Sequence, residues 1–227
     1  MNRKLMTTLF LGAVAASTLQ GCFPMVATGL TTGLLAAVDR RTVGAQTEDE
    51  SIEWKAAARV REQLGDKAHL NFTSYNRKVL ITGEAISPEI RFQAENVAAR
   101  IPNVLGVYNE VVVGPPSSFV NRSNDAFITS KIKSRSLDSQ KFSPIHVKVV
   151  TEANVAFLLG IVTQEEAEAA IGVARTTAGV KKVVNLLEVV TPGRAKELDQ
   201  MNSGGGKEAS ETPTTQTPRE DKTDGTP

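Results

Sequence analysis

Two apolar runs, each ending in a glycine, stand at corresponding places in the two halves of the chain. The first is Val79–Gly83 and the second is Ala156–Gly160. The match extends backwards to His69 and His146, and forwards through a helix-like segment to a valine-rich one. This pattern indicates an internal duplication of about 70 residues. The glycine that ends each run is predicted to mark a backbone position that a side chain would crowd.

The hydrophobic pattern of the first repeat predicts the element order αββαβ. Ala56, Val60 and Leu64 recur one helical turn apart with charges between them, and alternating apolar positions mark the strands. The predicted elements are a helix over Ile52–Leu64, strands over Leu70–Tyr75 and Val79–Thr82, a helix capped by Ser87 with Pro88 in its first turn, and a strand over Val104–Val113.

The second repeat predicts the same order of elements. Thr163, with Glu166 three residues later, has the form of a capping box. The connector between the repeats, Gly114–Ser118, contains two adjacent prolines and is predicted to restrict their mutual orientation. The predicted elements are a helix that starts at Ser123–Asp125 and runs through Leu137, strands over His146–Val150 and Val155–Leu159, a helix capped by Thr163, and a strand over Val180–Val190.

Composition adds a few constraints. Apolar residues make up 41% of the chain, which is enough for cores, and 5% aromatic residues predict that those cores are mainly aliphatic. A formal net charge of +1 gives no global attraction to nucleic acid or to another polyanion. The single cysteine, Cys22, excludes an intramolecular disulfide.

The N-terminal segment is typical of a bacterial lipoprotein signal peptide. Arg3 and Lys4 precede the apolar stretch Leu5–Leu19, which is shorter than the roughly 20 residues of a membrane span. Cys22 then completes a sequence that resembles a lipobox, in which the cysteine is lipidated and becomes the mature N-terminus. The alternative is an ordinary signal peptide with an incidental cysteine. We predict a signal peptide over residues 1–21 and a covalent lipid as the only prosthetic group.

The segments outside the repeats are predicted to be linkers. Residues 22–46 are interpreted as a lipidated tether, because their first part is small, apolar and rich in glycine and threonine. Arg40 and Arg41 within it fit either contact with lipid head groups or a solvated linker. Residues 192–227 are predicted to form a disordered polar tail, since residues 203–227 contain no large apolar side chain.

The repeat resembles the BON domain family, an αββαβ unit in which an apolar strand ends in glycine and a Val-x-x-Val-x-Asn segment opens the last strand. The matching residues are Gly83 with Val104, Val107 and Asn109, and Gly160 with Val180, Val183 and Asn185. Two such units behind a lipobox, over residues 19–191, resemble the dual-BON-domain outer-membrane lipoproteins of Gram-negative bacteria. The resemblance implies an α+β fold with BON domains over residues 47–114 and 119–191, each with a three-stranded mixed sheet packed on two helices.

The resemblance also implies a function. Members of that family are non-enzymatic factors for envelope integrity, anchored in the outer membrane and facing the periplasm. Phe23, where an aspartate would retain the protein in the inner membrane, agrees with that destination. In the family the second BON domain binds anionic phospholipid through its first helix, and the protein gathers at division sites. The family is also linked to regulation of peptidoglycan amidases and to the outer-membrane assembly machinery.

The first helix of the second repeat has the composition expected of a membrane-surface helix. It carries three basic side chains against one aspartate, whereas the corresponding helix of the first repeat is balanced in charge. On a helical wheel Phe127, Lys131 and Arg135 form a ridge away from the core, and Lys133 lies on the other flank. The predicted lipid-binding residues are Phe127, Lys131, Lys133 and Arg135.

The residues of this helix also fit a solvated face with Phe127 packed locally, and the family resemblance favours lipid contact. The family usually has tryptophan where this chain has Phe127. Phenylalanine keeps an apolar side chain for insertion but lacks the indole N–H. Trp54, the only tryptophan, is predicted to pack at the edge of the first core.

Other functional classes lack the residues that they need. His69 and His146 stand at equivalent strand starts without an indicated nucleophile or carboxylate partner, and are interpreted as polar residues at those positions. No ligand spacing suits a metal and no glycine-rich loop suits a phosphate, so neither a metal nor a small-molecule substrate is predicted. Export excludes nucleic acid. The alternative function is a protein-interaction adaptor for the envelope machinery, with incidental lipid contact.

Overall fold

The computed structural model describes residues 39–204. The predicted signal peptide, Cys22 and residues 205–227 lie outside the described residues. The helices are α1 Val43–Leu64, α2 Pro88–Ala99, α3 Phe119–Ser139, α4 Gln164–Arg175 and α5 Pro192–Gly204. The strands are β1 Ala68–Tyr75, β2 Lys78–Ala85, β3 Gly106–Asn109, β4 Val112–Val113, β5 Val147–Glu152, β6 Val155–Val162 and β7 Lys182–Val189.

Each repeat forms a mixed sheet that is three strands wide, which confirms the predicted α+β fold. In the first domain β1 pairs antiparallel with β2, and β2 pairs in parallel with β3 and then with the short β4. In the second domain β5 pairs antiparallel with β6, and β6 pairs in parallel with β7. The two helices within each repeat cover one face of its sheet and enclose an aliphatic core.

The predicted caps of α2 and α4 are confirmed. The Ser87 hydroxyl accepts a hydrogen bond from the amide of Ile90, and Pro88 lies in the first turn. At α4 the Thr163 hydroxyl accepts from the amide of Glu166, while the Glu166 carboxylate accepts from the amide of Thr163. Both helices therefore begin where the sequence predicts, because the signals for a helix start are local.

A buried aspartate holds the hairpin turn of each domain. The carboxylate of Asp49 accepts hydrogen bonds from the amides of Asn76 and Arg77 at 2.8 and 2.7 Å. Asp125 accepts in the same way from Ala153 and Asn154, both at 2.9 Å. All four turn residues have positive φ, as a two-residue hairpin turn requires. A buried carboxylate therefore stabilises each turn, although neither turn contains the glycine that commonly adopts positive φ in such hairpins.

The helices α1 and α3 both begin earlier than predicted. Thr42 caps α1, so the predicted start at Ile52 is wrong and the tether cannot extend to residue 46. Ser118, and not Ser123–Asp125, caps α3. The part added to α1 is mostly polar and contains Asp49, which binds the hairpin, whereas the part added to α3 begins with the exposed Phe119 and Val120. Local hydrophobic periodicity gives no sign of such turns.

The two sheets pack face to face. Along β2 and β6 every second apolar residue faces the helices of its own domain, and the residues between them face the other domain. The buried cluster between the sheets contains Tyr75, Leu80, Phe157, Leu159 and Ile161. Polar pairs surround it, among them Lys148 with Glu53 at 2.8 Å and Lys78 with Glu188 at 3.1 Å. The molecule is therefore layered as helices, sheet, sheet and helices.

The two glycines that end the apolar runs lie where the neighbouring strand approaches most closely. A Cβ added at Gly83 would lie 2.1 Å from the carbonyl oxygen of His69, and one added at Gly160 would lie 2.2 Å from that of His146. Gly83 also has a φ of +107°. These distances are far below van der Waals contact, so any side chain would force the two strands apart.

The chain does not become disordered at residue 192, and that part of the prediction is wrong. Pro192–Gly204 forms α5, on which Ala195 is buried and Leu198 is half-buried against the cluster between the sheets. Arg40, interpreted as part of a lipid-facing or solvated tether, is only 4% exposed and joins α5 to the second domain. Among residues 39–204, no helix is long and apolar enough to cross a membrane.

Candidate functional site

The exposed face of α3 is the candidate site. Ile128 and Ile132 are buried on one side of the helix, and Phe127 lies on the opposite side with 61% of its surface exposed, which confirms its expected exposure. Because α3 begins at residue 119, it adds Phe119 and Val120, which are 76% and 73% exposed. Val120 and Phe127 stand two turns apart and thus on the same line along the helix. The result is an apolar stripe that faces solvent.

Lys131 lies next to this stripe. Its Nζ atom is 4.7 Å from the centre of the Phe127 ring, within the range of a cation–π contact. The same ammonium donates a hydrogen bond to the carbonyl oxygen of Ala178, just beyond the end of α4. Phe127 and Lys131 therefore form one compact unit with an apolar and a cationic part.

Arg135, one turn further on, binds the end of α4 more firmly. Its guanidinium donates to the carbonyl oxygen of Val173 at 3.1 Å and to the hydroxyl oxygens of Thr177 and Thr176 at 2.8 and 3.0 Å. A cation at a helix C-terminus is stabilised by the helix dipole. Although Arg135 is exposed, its hydrogen bonds join α3 to α4.

Lys133 does not belong to the same surface. It lies on the other flank of α3, beside Leu137, and lines a groove with Arg41, Tyr75 and Lys148 of the domain junction. Its side chain makes no hydrogen bond or ion pair with residues 39–204. The structure thus brings together three of the four predicted residues, and separates Lys133 from them.

The counterpart of this face in the first domain also carries an exposed aromatic residue. Trp54 is 75% exposed, so the prediction that it packs at the edge of the first core is wrong. Exposure of an aromatic side chain therefore does not distinguish the two domains. Among the described residues, what distinguishes α3 is the ammonium of Lys131 over the ring of its aromatic residue.

A second polar cluster, which the sequence analysis missed, surrounds Arg40. Its guanidinium donates to the carboxylates of Glu166 and Asp199, at 2.6 to 3.3 Å, and to the carbonyl oxygen of Ile161. The buried His146 ring lies 3.8 Å from Glu166 and 3.7 Å from Asp199. These residues come from four distant parts of the chain. The sequence marked Arg40, His146 and Glu166 separately, as part of a tether, as the start of a strand and as part of a helix cap, and nothing in it brought them together.

The charges of this cluster shift its pKa values. Burial disfavours the carboxylate of Glu166, but hydrogen bonds from His146 and Arg40 outweigh burial and hold its pKa well below the usual range. Burial likewise disfavours the Arg40 cation, and its bonds to Glu166 and Asp199 raise its pKa above the ordinary value. Both groups are therefore charged at any physiological pH. Within residues 39–204 no cluster of three His, Cys, Asp or Glu side chains could hold a metal ion.

Comparison with known proteins agrees with this architecture. The BON domain family matches residues 54–115 and 124–191. Outer membrane lipoprotein DolP of Haemophilus influenzae is 36% identical over 172 residues, which cover 75% of this chain and 89% of the relative. The 21 kDa hemolysin of Actinobacillus pleuropneumoniae is 36% identical over 155 residues, covering 67% of this chain and 80% of the relative.

A solved structure of CdsD, a structural protein of the type III secretion system of Chlamydia trachomatis, covers 68% of this chain and 97% of its own. Its sequence identity is 12% and its TM-score is 0.27, and this likeness supports no argument about fold or function. The two BON matches and the identity to the DolP relative decide the family. The chain belongs to the outer-membrane envelope lipoproteins that carry two BON domains, a domain that is not catalytic.

Proposed function

We propose that this protein binds anionic phospholipid through the exposed face of α3, at the periplasmic surface of the outer membrane. The observation that carries the proposal is the apolar stripe of Val120 and Phe127 with Lys131 beside it. A helix that presents apolar side chains beside cations is suited to the boundary between lipid head groups and acyl chains.

The strength of this interaction is expected to be modest. Full burial of one large apolar side chain contributes about 1.5–3 kcal/mol, and each basic group near an anionic surface contributes about 1 kcal/mol. Lys131 and Arg135 flank Phe127, whereas Lys133 faces the domain junction and contributes less. These contributions together give weak binding. Weak binding is enough to hold α3 at the lipid surface when an anchor raises the effective concentration of the protein at the membrane.

In this proposal the anchor is a lipid on Cys22, which holds the protein to the outer membrane, facing the periplasm. Weak binding by α3 then directs the anchored protein to membrane that is rich in anionic lipid, including the division site, where it supports envelope integrity. This function is non-enzymatic. It requires no cofactor beyond the covalent lipid, no nucleic acid and no small-molecule substrate.

Flotation with liposomes tests the proposal directly. The chain from residue 22 onward, with Cys22→Ser so that no acyl chain can be attached, is mixed at low salt with phosphatidylglycerol or phosphatidylethanolamine vesicles. Flotation is expected with phosphatidylglycerol alone. It should be lost in Phe127→Glu, and it should persist in Trp54→Glu, which places the same charge on an equally exposed aromatic position of the first domain.

Two results would overturn the proposal. One is absence of flotation for the chain without the Phe127 substitution. The other is equal loss in both variants, which would show that the added charge and not the site matters. Either result would favour the adaptor function, in which lipid contact is incidental.

A further inference from the structure

The edge strand of the first domain presents main-chain groups to solvent. In the sheet, β1 pairs with β2 on one side, and residues 39–204 supply no neighbouring strand on the other. The amide of Ser74 donates to the side chain of Glu53 at 2.7 Å, so this amide points away from β2. Main-chain groups alternate along an antiparallel edge strand. Those of Phe72 and Leu70 therefore point outward as well.

Within the part of the chain that the structure describes, side chains cap only one end of this edge. Glu53 binds the amide of Ser74, and Lys148 of the second domain donates both to Glu53 and to the carbonyl oxygen of Ser74. On α1, Ala57 follows Glu53 by one turn, about 6 Å along the helix, and is the next residue on the face toward the strand. On β1, Phe72 precedes Ser74 by two residues, and this step is also about 6–7 Å. Phe72 therefore lies opposite Ala57. An alanine cannot cap a main-chain group.

The uncapped part of the edge opens into a groove. It has a volume of about 810 Å³ and lies between α1 and β1. Trp54 and Ala57 line it on the helix side, and Leu70 and Phe72 line it on the strand side. Trp54 is 75% exposed there, and the small alanine leaves room for the side chains of an added strand. Apolar side chains and a free strand edge thus occur at the same place, and the rest of the lining includes the polar residues Arg61, Glu62, Asp66 and His69.

The second domain buries the corresponding side chains more deeply. Val147 and Val149, the counterparts of Leu70 and Phe72, are 7% exposed. They share a buried cluster with Phe142, which belongs to the connection between α3 and β5. In the first domain this connection is the short turn Gly65–Lys67, and none of its residues is buried. The apolar side chains of this strand are therefore buried in the second domain and more accessible in the first.

We propose that this groove binds an extended peptide segment of a partner protein, which adds to the sheet as a strand beside β1. Outward N–H and C=O groups require a partner that offers main-chain acceptors and donors, and an extended peptide does so. Every second side chain of the added strand points toward α1, so the segment carries apolar residues at alternate positions. The groove is separate from the α3 face, and this binding does not depend on the lipid function.

Selection from a phage-displayed library of random short peptides tests the proposal on the Cys22→Ser chain. The selected peptides are expected to alternate in polarity and to slow amide hydrogen exchange at Leu70 and Phe72. Ala57→Glu supplies a second side chain of the kind that Glu53 provides, and it is expected to weaken binding about tenfold or more. The control is Ser134→Glu, an exposed site on α3 that receives the same charge.

Several outcomes would overturn this inference. They are a selection that yields no binder, peptides whose binding leaves exchange at Leu70 and Phe72 unchanged, and equal weakening by Ala57→Glu and Ser134→Glu. Dimerisation of the unsubstituted chain through β1, detected by light scattering and abolished by Ala57→Glu, would assign the edge to a second copy instead. Each result is distinct from the outcome of the liposome experiment.

Discussion

Replacing Arg40 with methionine is expected to destabilise the protein strongly. The side chain is 4% exposed and donates to two carboxylates and one carbonyl oxygen. Methionine fills much of the same volume but leaves the charges of Glu166 and Asp199 close together and unneutralised. Removing one partner of a buried ion pair costs about 3–5 kcal/mol. The Asp199 side chain is 40% exposed and keeps part of its hydration, so we expect a loss near the lower end, about 3 kcal/mol.

Urea unfolding followed by circular dichroism measures this loss, and thermal unfolding should show a decrease of about 6–12 °C in the melting temperature. Arg194→Met is the matched control, because Arg194 is exposed and pairs only with Glu197 at 3.1 Å on the surface of α5. That substitution is expected to cost under about 1 kcal/mol. Equal losses for the two variants would refute the reasoning from burial.

The destabilisation by Arg40→Met should also depend on pH. The pKa of Glu166 is lowered in the folded protein, so its carboxylate contributes stability above the unfolded pKa, near 4.5, and loses that contribution as the pH falls through the folded pKa. The difference between the unsubstituted chain and the variant should be full at neutral pH and shrink in acid. A difference that stays constant from neutral pH to strong acid would contradict the assignment of the charge on Glu166.

Four further substitutions, of which Gly172→Ala is a control for Gly160→Ala, test other parts of the fold by urea unfolding. Gly160→Ala should lower the free energy of unfolding by about 3 kcal/mol or more, since its Cβ would lie 2.2 Å from a carbonyl oxygen. Gly172→Ala in α4, where an added Cβ meets nothing within 4 Å, should leave the free energy of unfolding unchanged or raise it by up to about 1 kcal/mol. Asp125→Ala should cost about 2–3 kcal/mol and speed hydrogen exchange of the two turn amides that lose their acceptor. Burial raises the pKa of Glu152 above its ordinary value of about 4.5, so the folded protein loses stability as the pH rises above that value. Glu152→Gln should therefore stabilise the protein at pH 7 and have little effect in acid.

Each of these expectations has a contrary result. Equal effects at Gly160 and Gly172 would exclude the steric argument. Unchanged exchange of the turn amides in Asp125→Ala would show that water replaces the carboxylate at no cost. A loss of stability at pH 7 in Glu152→Gln would show that the hydrogen bond from Asn71 outweighs the burial of the charge.

The duplicated fold could be predicted because its signals are local and occur twice. The caps at Ser87 and Thr163 and the alternation in the strands depend on neighbours within a few residues. The apolar runs of β2 and β6 also indicate that the two sheets pack together. An unbroken apolar run in a strand indicates burial on both faces, and Leu80 and Leu159 are indeed buried between the two sheets.

The polar parts of the fold could not be predicted in this way. Asp49 and Arg40 stand in segments without apolar periodicity, and their partners lie far away in the sequence. One accessible signal was the correspondence of Asp49 with Asp125 in the aligned repeats. α5 has few apolar residues, and its packing depends on Leu198 and on the bond between Asp199 and Arg40.

The candidate site was predicted in part for the same reason. The position of Phe127 on the helix follows from helical geometry, so its exposure could be derived. The contacts of Lys131 and Arg135 with the end of α4 depend on how two helices pack, which no local pattern records. Lys133 lies on the other flank of α3, as the helical wheel predicts, and its charge alone grouped it with the other predicted lipid-binding residues.

The bonds of Arg40 determine how the molecule would carry tension. Although α1 of the first domain begins three residues later, Arg40 is held by β6, α4 and α5, all of which follow the first domain in the chain. A pull on the chain from the N-terminal side of Arg40 therefore loads the second domain before it reaches α1. The bonds to Ile161, Glu166 and Asp199 share this load in parallel, so they resist together and the first domain is shielded until they break.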